Sequence, residues 1–354
     1  MGGCERARAG LRRAGGLLAM LALLLPAPGL AECLRGANVA GAEFGDLPGV
    51  AGKTYTYPSR ATLSYLRSKG MNVVRLPFRW ERLQPQLGAP LDRAELARID
   101  ETVAMATGMG LAVILDPHNY AKYRGHMVGS PKAPSSAFAD FWRRLAPRYA
   151  GRDDVIYLLM NEPAHISAAD WLPSVNAAIA AIREAGADNL VMVPGTIWTG
   201  ASHWFEAQPG GSNAEVLAGV VDPLDRYAFD IHQYLDADFS GTKTACDRVG
   251  DAIAAVDAMT RWLSETGNSA FLGEFGGHPR PDCYRGLARM VGQVNARPDV
   301  WLGWAIWAAG DWWGDYPLSI QPVDGEDRPQ MVAISRLIER RNPEEKACSA
   351  FKRN

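Results

Sequence analysis

The stretch Val155-Ile156-Tyr157-Leu158-Leu159-Met160-Asn161-Glu162 joins six consecutive apolar side chains to an amide and a carboxylate. An unbroken apolar run, rather than an alternating one, suits a strand of a parallel sheet covered on both faces. The polar step at its end puts Asn161 and Glu162 where the strand leaves the sheet. The same pattern recurs at Leu34–Val39, Asn72–Leu76, Leu111–Asp116, Leu190–Val193, Tyr227–Ile231, Ala270–Gly273 and Trp301–Ile306. Between these runs lie helical stretches rich in Ala, Leu, Arg and Glu: Arg60–Lys69, Leu91–Thr107, Ser135–Tyr149, Trp171–Ala185, Gly250–Thr266 and Tyr284–Asn295. Gly70, Gly110, Gly186 and Gly267 fall where these stretches stop, as C-terminal caps should. Eight strands alternating with helices over about 300 residues predict an α/β fold, a single (β/α)8 TIM barrel. A doubly wound sheet would need a glycine-rich phosphate turn after its first strand. Gly36-Ala37-Asn38-Val39-Ala40-Gly41 lacks that spacing, which argues against nucleotide binding.

The chain has 354 residues, 47% hydrophobic and 21% charged, enough for one large core and too ordinary for disorder. Lys+Arg 37 against Asp+Glu 39 leaves no basic surplus, so a nucleic-acid partner is not expected. Residues 1–31 read as a secretory signal. Arg6, Arg8, Arg12 and Arg13 precede the apolar run Leu17–Leu25, which is too short to span a bilayer, and cleavage is expected after Ala31. Leu30-Ala31-Glu32-Cys33 approaches a lipoprotein signal, but Glu32 stands where that signal wants Gly or Ala. The leader holds four basic residues and one acidic one, so residues 32–354 carry 33 basic and 38 acidic side chains. We expect this remainder to be one catalytic domain, exported to the periplasm or the medium as a monomer, with no membrane partner.

Five cysteines fall to four once Cys4 leaves with the leader. An even count in an exported chain favours disulfides over free buried thiols. We expect Cys246–Cys283 and Cys33–Cys348, the second tying one terminus to the other. His118, His126, His203 and His232 show no ligand spacing and no Cys-x-x-Cys pair is present, so no metal is expected. No cofactor is expected either.

In a barrel, chemistry sits at the carboxyl ends of strands. Polar or aromatic residues gather there: Arg75, His118 with Asn119, Asn161 with Glu162, His232 with Tyr234, Glu274, and Trp307. Each alone has an ordinary structural reading as a salt-bridged or hydrogen-bonded group. Their coincidence at six strand ends points to a site. Glu162 and Glu274 would face each other across the barrel mouth. Two carboxylates across a gap, one protonated and one ionised, are what glycosidic bond cleavage requires. A cationic Arg75 near Glu274 would keep that carboxylate charged.

At these residues the sequence resembles glycoside hydrolase family 5, and looks most like its endo-β-1,4-glucanases (cellulases) of the subfamily 5 type. The matching stretches are Arg35–Phe44 (RGANVAGAEF), Val74–Phe78 (VRLPF), Leu115–Tyr120 (LDPHNY), Leu159–Pro163 (LMNEP), Asp230–Tyr234 (DIHQY), Leu272–Gly276 (LGEFG) and Gly303–Gly310 (GWAIWAAG). The resemblance implies a retaining double displacement, with Glu162 as acid/base and Glu274 as nucleophile. It implies that Arg75 and Tyr234 contact the nucleophile, that His232 lies near the acid/base, and that His118 and Asn161 meet sugar hydroxyls. Trp307 would be the platform under the sugar at the cleavage point. Asn38, Asn119, Trp198, His203 and Trp313 are candidates for outer subsites, with satisfied structural roles expected for His203 and His126. Asp116 is expected to brace its strand end. The 11 tryptophans would suit sugar platforms in an open cleft. No carbohydrate-binding module or linker is recognised, so a soluble or amorphous β-glucan is the expected partner. Mannanase or mixed-linkage glucanase activity, or a non-catalytic carbohydrate-binding barrel, are the alternatives.

Overall fold

The computed structural model describes residues 1–3, 32–339 and 348. The expected leader from residue 4 onward, and its cleavage site at Ala31, lie outside the described residues. Eight parallel strands close into a barrel: β1 Leu34–Val39, β2 Val73–Phe78, β3 Ala112–Pro117, β4 Val155–Leu158, β5 Val191–Pro194, β6 Tyr227–His232, β7 Ala270–Glu274 and β8 Trp301–Ala309. Each strand pairs with the next in sequence, and β8 returns to β1. The expected (β/α)8 barrel is therefore present, with every strand within a few residues of its expected bounds.

The long outer helices are α1 Arg60–Ser68, α2 Arg93–Thr107, α3 Ser135–Leu145, α4 Ala168–Glu184, α5 Val249–Thr266, α6 Pro281–Asn295 and α7 Pro329–Glu339. Side chains that answer orphan amides start three of them: Ser59 for Thr62, Asp92 for Glu95 and Ser167 for Asp170. Gly267 ends α5 at φ 69, in the left-handed conformation that glycine takes without strain. The alternation breaks between β5 and β6. Gly195, Gly200 and Pro209-Gly210-Gly211 interrupt that segment, and only the short helix Asn213–Val216 and single 3-10 turns form there. A two-residue hairpin, Lys122–Tyr123 against His126–Met127, follows β3 and was not legible in the sequence.

The strands split their side chains between two cores, as a period of two demands. Outward residues meet the helices. Inward ones, including Leu34, Val73, Ile114, Ile156, Met192 and Phe271, form a separate apolar plug in the lower barrel. Two residues further along the same faces stand Asn38 (four beyond Leu34), Arg75, Asp116 and Asp230, all fully buried. The barrel interior thus changes from apolar to ionic toward the carboxyl ends of the strands. Buried charge of this kind persists only where it is paired.

Trp80, Trp142, Trp171, Trp204, Trp301 and Trp304 are wholly buried, and Trp262 packs on Trp204 and Phe229. Most of the tryptophan surplus is therefore core between barrel and helices, not sugar platform. Only Trp198, Trp307, Trp312 and Trp313 remain for a cleft. Both expected disulfides are formed, Cys246–Cys283 and Cys33–Cys348, with Cα atoms 5.1 and 4.9 Å apart. Cys348 packs into the apolar plug at the barrel floor.

Candidate active site

The β1–β2 register sets Asn38 beside Arg75, and the β6–β7 register sets His232 beside Glu274. Arg75 is the hub. Its Nη1 donates to Glu274 Oε1 at 2.6 Å and to Asn38 Oδ1 at 2.7 Å. Its Nη2 donates to Asn161 Oδ1 at 2.6 Å and lies 3.1 Å from Asp116 Oδ2. Tyr234 Oη donates to the other oxygen of Glu274 at 3.0 Å. Burial alone would raise the Glu274 carboxyl. The charges of His232, Arg75 and His118, together with the Tyr234 hydroxyl, outweigh it and hold the group below its ordinary range. Glu274 is therefore kept ionised.

Glu162 follows β4 with φ 41, a left-handed conformation that costs a non-glycine residue roughly 1–2 kcal/mol. The tips of β3 and β4 interlock around it, through Asn161 N to Pro117 O at 3.0 Å and Tyr120 N to Asn161 O at 3.1 Å. Burial and the charge of Glu274 raise the Glu162 carboxyl, against the opposing effect of His232. Carboxylate oxygens of Glu162 and Glu274 come within 4.8 Å of each other. The two acids are thus driven in opposite directions by their surroundings, the separation that paired acid and base chemistry needs.

His232 lies between them. Its Nδ1 is 2.7 Å from Glu162 Oε1 and 3.7 Å from Glu274 Oε2, and its Nε2 is 3.1 Å from Asp230 Oδ2. Burial pulls its basicity down, yet the charges of Glu274 and Asp230 and its hydrogen bonds push it up to about 10. The Asp230 carboxylate fits beneath because residue 273 is glycine. A Cβ there would stand 2.0 Å from Asp230 Oδ1. The same motif recurs at β3, where His118 Nδ1 is 2.7 Å from Asp116 Oδ2 and Nε2 is 3.2 Å from Asn161 Nδ2. Asp-x-His at a strand end places both side chains on one inward face.

Glu162, His232 and Glu274 are also the group of donors among the described residues close enough to hold a metal ion. Arg75 already donates to Glu274 Oε1, and the three groups face one another through His232 Nδ1, 2.7 Å from Glu162 Oε1 and 3.7 Å from Glu274 Oε2.

Trp307 lies over the mouth, its ring near-parallel to His118 with centroids 5.7 Å apart. Trp313 is edge-on to Trp307 at 5.8 Å and stacked on Tyr316 at 4.2 Å, extending an aromatic wall. A 600 Å³ cleft opens beside Glu162, walled by Trp198, His203, Glu206, Asp238 and Phe239. Trp198 is 44% exposed on a run of three left-handed residues, Ile197 to Thr199. His203 pairs with Glu206 at 2.9 Å while lining this cleft.

Three expectations need correction. Asn38 is fully buried; its amide donates to the carbonyl of Gly273 at 2.9 Å, so it holds Arg75 and β7 rather than an outer sugar. Asn119 is likewise spent, accepting from Trp80 N at 2.9 Å and donating to Glu81 Oε2 at 2.5 Å. His126, expected to be a satisfied structural histidine, stands exposed on the hairpin. Sequence reasoning also passed over Asp230, Tyr120 and Glu43. The Asp-x-His repeat was the available signal for Asp230. Tyr120 shares the cleft and meets His118 edge-on at 5.4 Å, and only its place two residues past His118 hinted at this.

Comparison with known proteins follows the same line. The sequence model for Cellulase (glycosyl hydrolase family 5) matches residues 35–310. The chain is 38% identical over 313 residues to endo-beta-1,4-glucanase A of Emericella nidulans, covering 87% of this chain and 93% of that one. It superposes on the endo-beta-1,4-glucanase crystal structure from Xanthomonas axonopodis pv. citri with TM-score 0.85 and 45% identity, over 87% of this chain and 99% of that one. The Pseudomonas stutzeri endoglucanase Cel5A in complex with cellobiose is 34% identical, TM-score 0.78, over 86% and 92% of the two chains. Barrel, paired carboxylates and sequence agree: the chain belongs to the cellulase family of glycoside hydrolases, glycosyl hydrolase family 5.

Proposed function

We propose that this protein is an exported, retaining endo-β-1,4-glucanase acting on soluble or amorphous β-glucan. One observation carries the reading: two carboxyls within 4.8 Å, Glu162 half-buried and raised, Glu274 buried and lowered, each by named neighbours. Glu274, ionised and fixed by Arg75 and Tyr234, attacks the anomeric carbon. Glu162, protonated, gives its proton to the leaving oxygen, then takes one from water, which releases the sugar with its configuration retained. Retaining enzymes place these groups about 5–5.5 Å apart, whereas inverting ones leave roughly 6.5–9.5 Å for water. The short separation here supports retention.

His118 and Asn161 are assigned to sugar hydroxyls in the cleavage subsite, Trp307 to the platform there, Trp313 to the glycone side, and Trp198 to the aglycone side. Two disulfides support export, since such bonds persist in oxidising compartments. No helix among the described residues is long and apolar enough to cross a membrane.

The test is hydrolysis of carboxymethylcellulose, mixed-linkage β-glucan, mannan and xyloglucan side by side, with the anomer first released followed by proton NMR. Fastest turnover on β-1,4-glucan with β-anomer first is expected. Mannan preference would overturn the substrate, and an α-anomer the mechanism.

A further inference from the structure

Glu43 follows β1 in the turn leading to Phe44, and the chemistry above does not use it. Its Oε2 accepts from Gly41 N at 2.8 Å. Its Oε1 is enclosed and has no hydrogen-bond partner within the protein. A buried carboxyl oxygen left unpaired costs on the order of 1–3 kcal/mol, so it calls for a reason.

The turn that carries it is braced. Arg82, nearly buried, donates to the carbonyls of Ala42 at 2.7 Å, Pro48 at 2.9 Å and Gly45 at 3.1 Å, and lies 3.9 Å over the Tyr55 ring. Phe44 meets Trp313 edge-on at 4.8 Å, joining this turn to the aromatic wall beside Trp307. The groups within electrostatic reach of the carboxyl include His118 and Asp116 at the end of β3, and Tyr120 just past it. Burial raises the carboxyl to about 7, against the His118 charge and the Gly41 amide. In mildly acidic solution it therefore carries a proton that it can donate.

We propose that Glu43 is a substrate-binding residue on the glycone side, where its free Oε1 hydrogen-bonds a hydroxyl of the glucosyl unit packed along Trp307 and Trp313. This rests on the glucanase reading above. A rigid turn, a pinned second oxygen and an orphan first oxygen make a preorganised contact that needs little ordering when sugar arrives.

The experiment compares the parent enzyme with Glu43→Ala, Glu43→Gln and Glu43→Asp on cellotetraose, measuring kcat, KM and Tm. Loss of one such contact should lower kcat/KM about 10- to 100-fold in Glu43→Ala, mainly through KM, with Tm held. Glu43→Gln, neutral and of the same shape, should recover most of it, and Glu43→Asp, one methylene short, should not. A Glu43→Ala enzyme within about twofold of the parent overturns the proposal. So does a fall in Tm and kcat at unchanged KM that Gln fails to rescue, which marks a scaffold residue. If Glu43→Ala does not fold, the Gln and Asp variants decide by the same KM criterion. Failure of the parent on cellotetraose with turnover of manno-oligosaccharides would sink the glucanase reading instead. The variant-to-parent ratio on that substrate would still judge Glu43.

Discussion

Replacing Tyr234 by Phe removes one oxygen from a nearly buried ring and leaves the rest of the side chain to fill the same space. That oxygen donates to Glu274 Oε2 at 3.0 Å. The next donor to Oε2 is His232 Nδ1 at 3.7 Å, beyond hydrogen-bond range, so Oε2 becomes an orphan while Oε1 keeps Arg75. A buried hydrogen bond to a charged group is worth about 1.5–3 kcal/mol, or roughly 10- to 150-fold in a rate constant. Held at one oxygen only, the carboxylate turns about its last bond and is no longer aimed at the anomeric carbon. The hydroxyl also helps hold Glu274 below its ordinary range. Its loss raises the carboxyl, so less of it is ionised in acid, and the acidic limb of the rate profile moves toward neutral pH. The assay is kcat/KM for an aryl cellobioside from pH 4 to 8, with Tm as the control for folding. A Tyr234→Phe enzyme with parental Tm, a rate within about twofold at every pH and an unmoved acidic limb would refute the reasoning.

Arg75→Met should abolish most activity and shift the acidic limb upward, while Arg75→Lys should lower kcat with less movement of the limb; a pH–rate series on both distinguishes charge from geometry. Glu162→Gln should lose several orders of magnitude on unactivated cello-oligosaccharides and far less in the first step on aryl glycosides with good leaving groups, and a burst assay reads the difference. Breaking the 37-residue link with Cys246→Ser and Cys283→Ser together should lower stability by about 3–4 kcal/mol, measured by urea melts, with little change in KM.

The barrel was legible because its strands are buried on both faces, and six apolar residues in a row leave few other readings. Glu162 and Glu274 were legible because each ends such a run. What escaped was decided by neighbours distant in sequence. Asn38 and Asn119 have the composition of sugar ligands, but Arg75, Gly273, Trp80 and Glu81 consume their polar atoms. Trp80 and Trp142 look no different in sequence from Trp307. Only the packing of Phe138, Phe141 and Tyr157 around the first two separates core from platform. The irregular segment between β5 and β6 gave up its helix to glycines and prolines, and thereby builds a cleft wall that no periodicity could announce.

The Cys33–Cys348 bond spans 315 residues, from just before β1 to the floor of the barrel. Covalently, nearly the whole enzyme is a ring. A protease that cuts once in an exposed loop at the mouth produces no separate fragment, and both halves of the barrel stay joined until the sulfurs are reduced. A single nick in such a loop is then an injury the fold can survive. It would be visible as an intact band on a non-reducing gel that falls into two only with thiol.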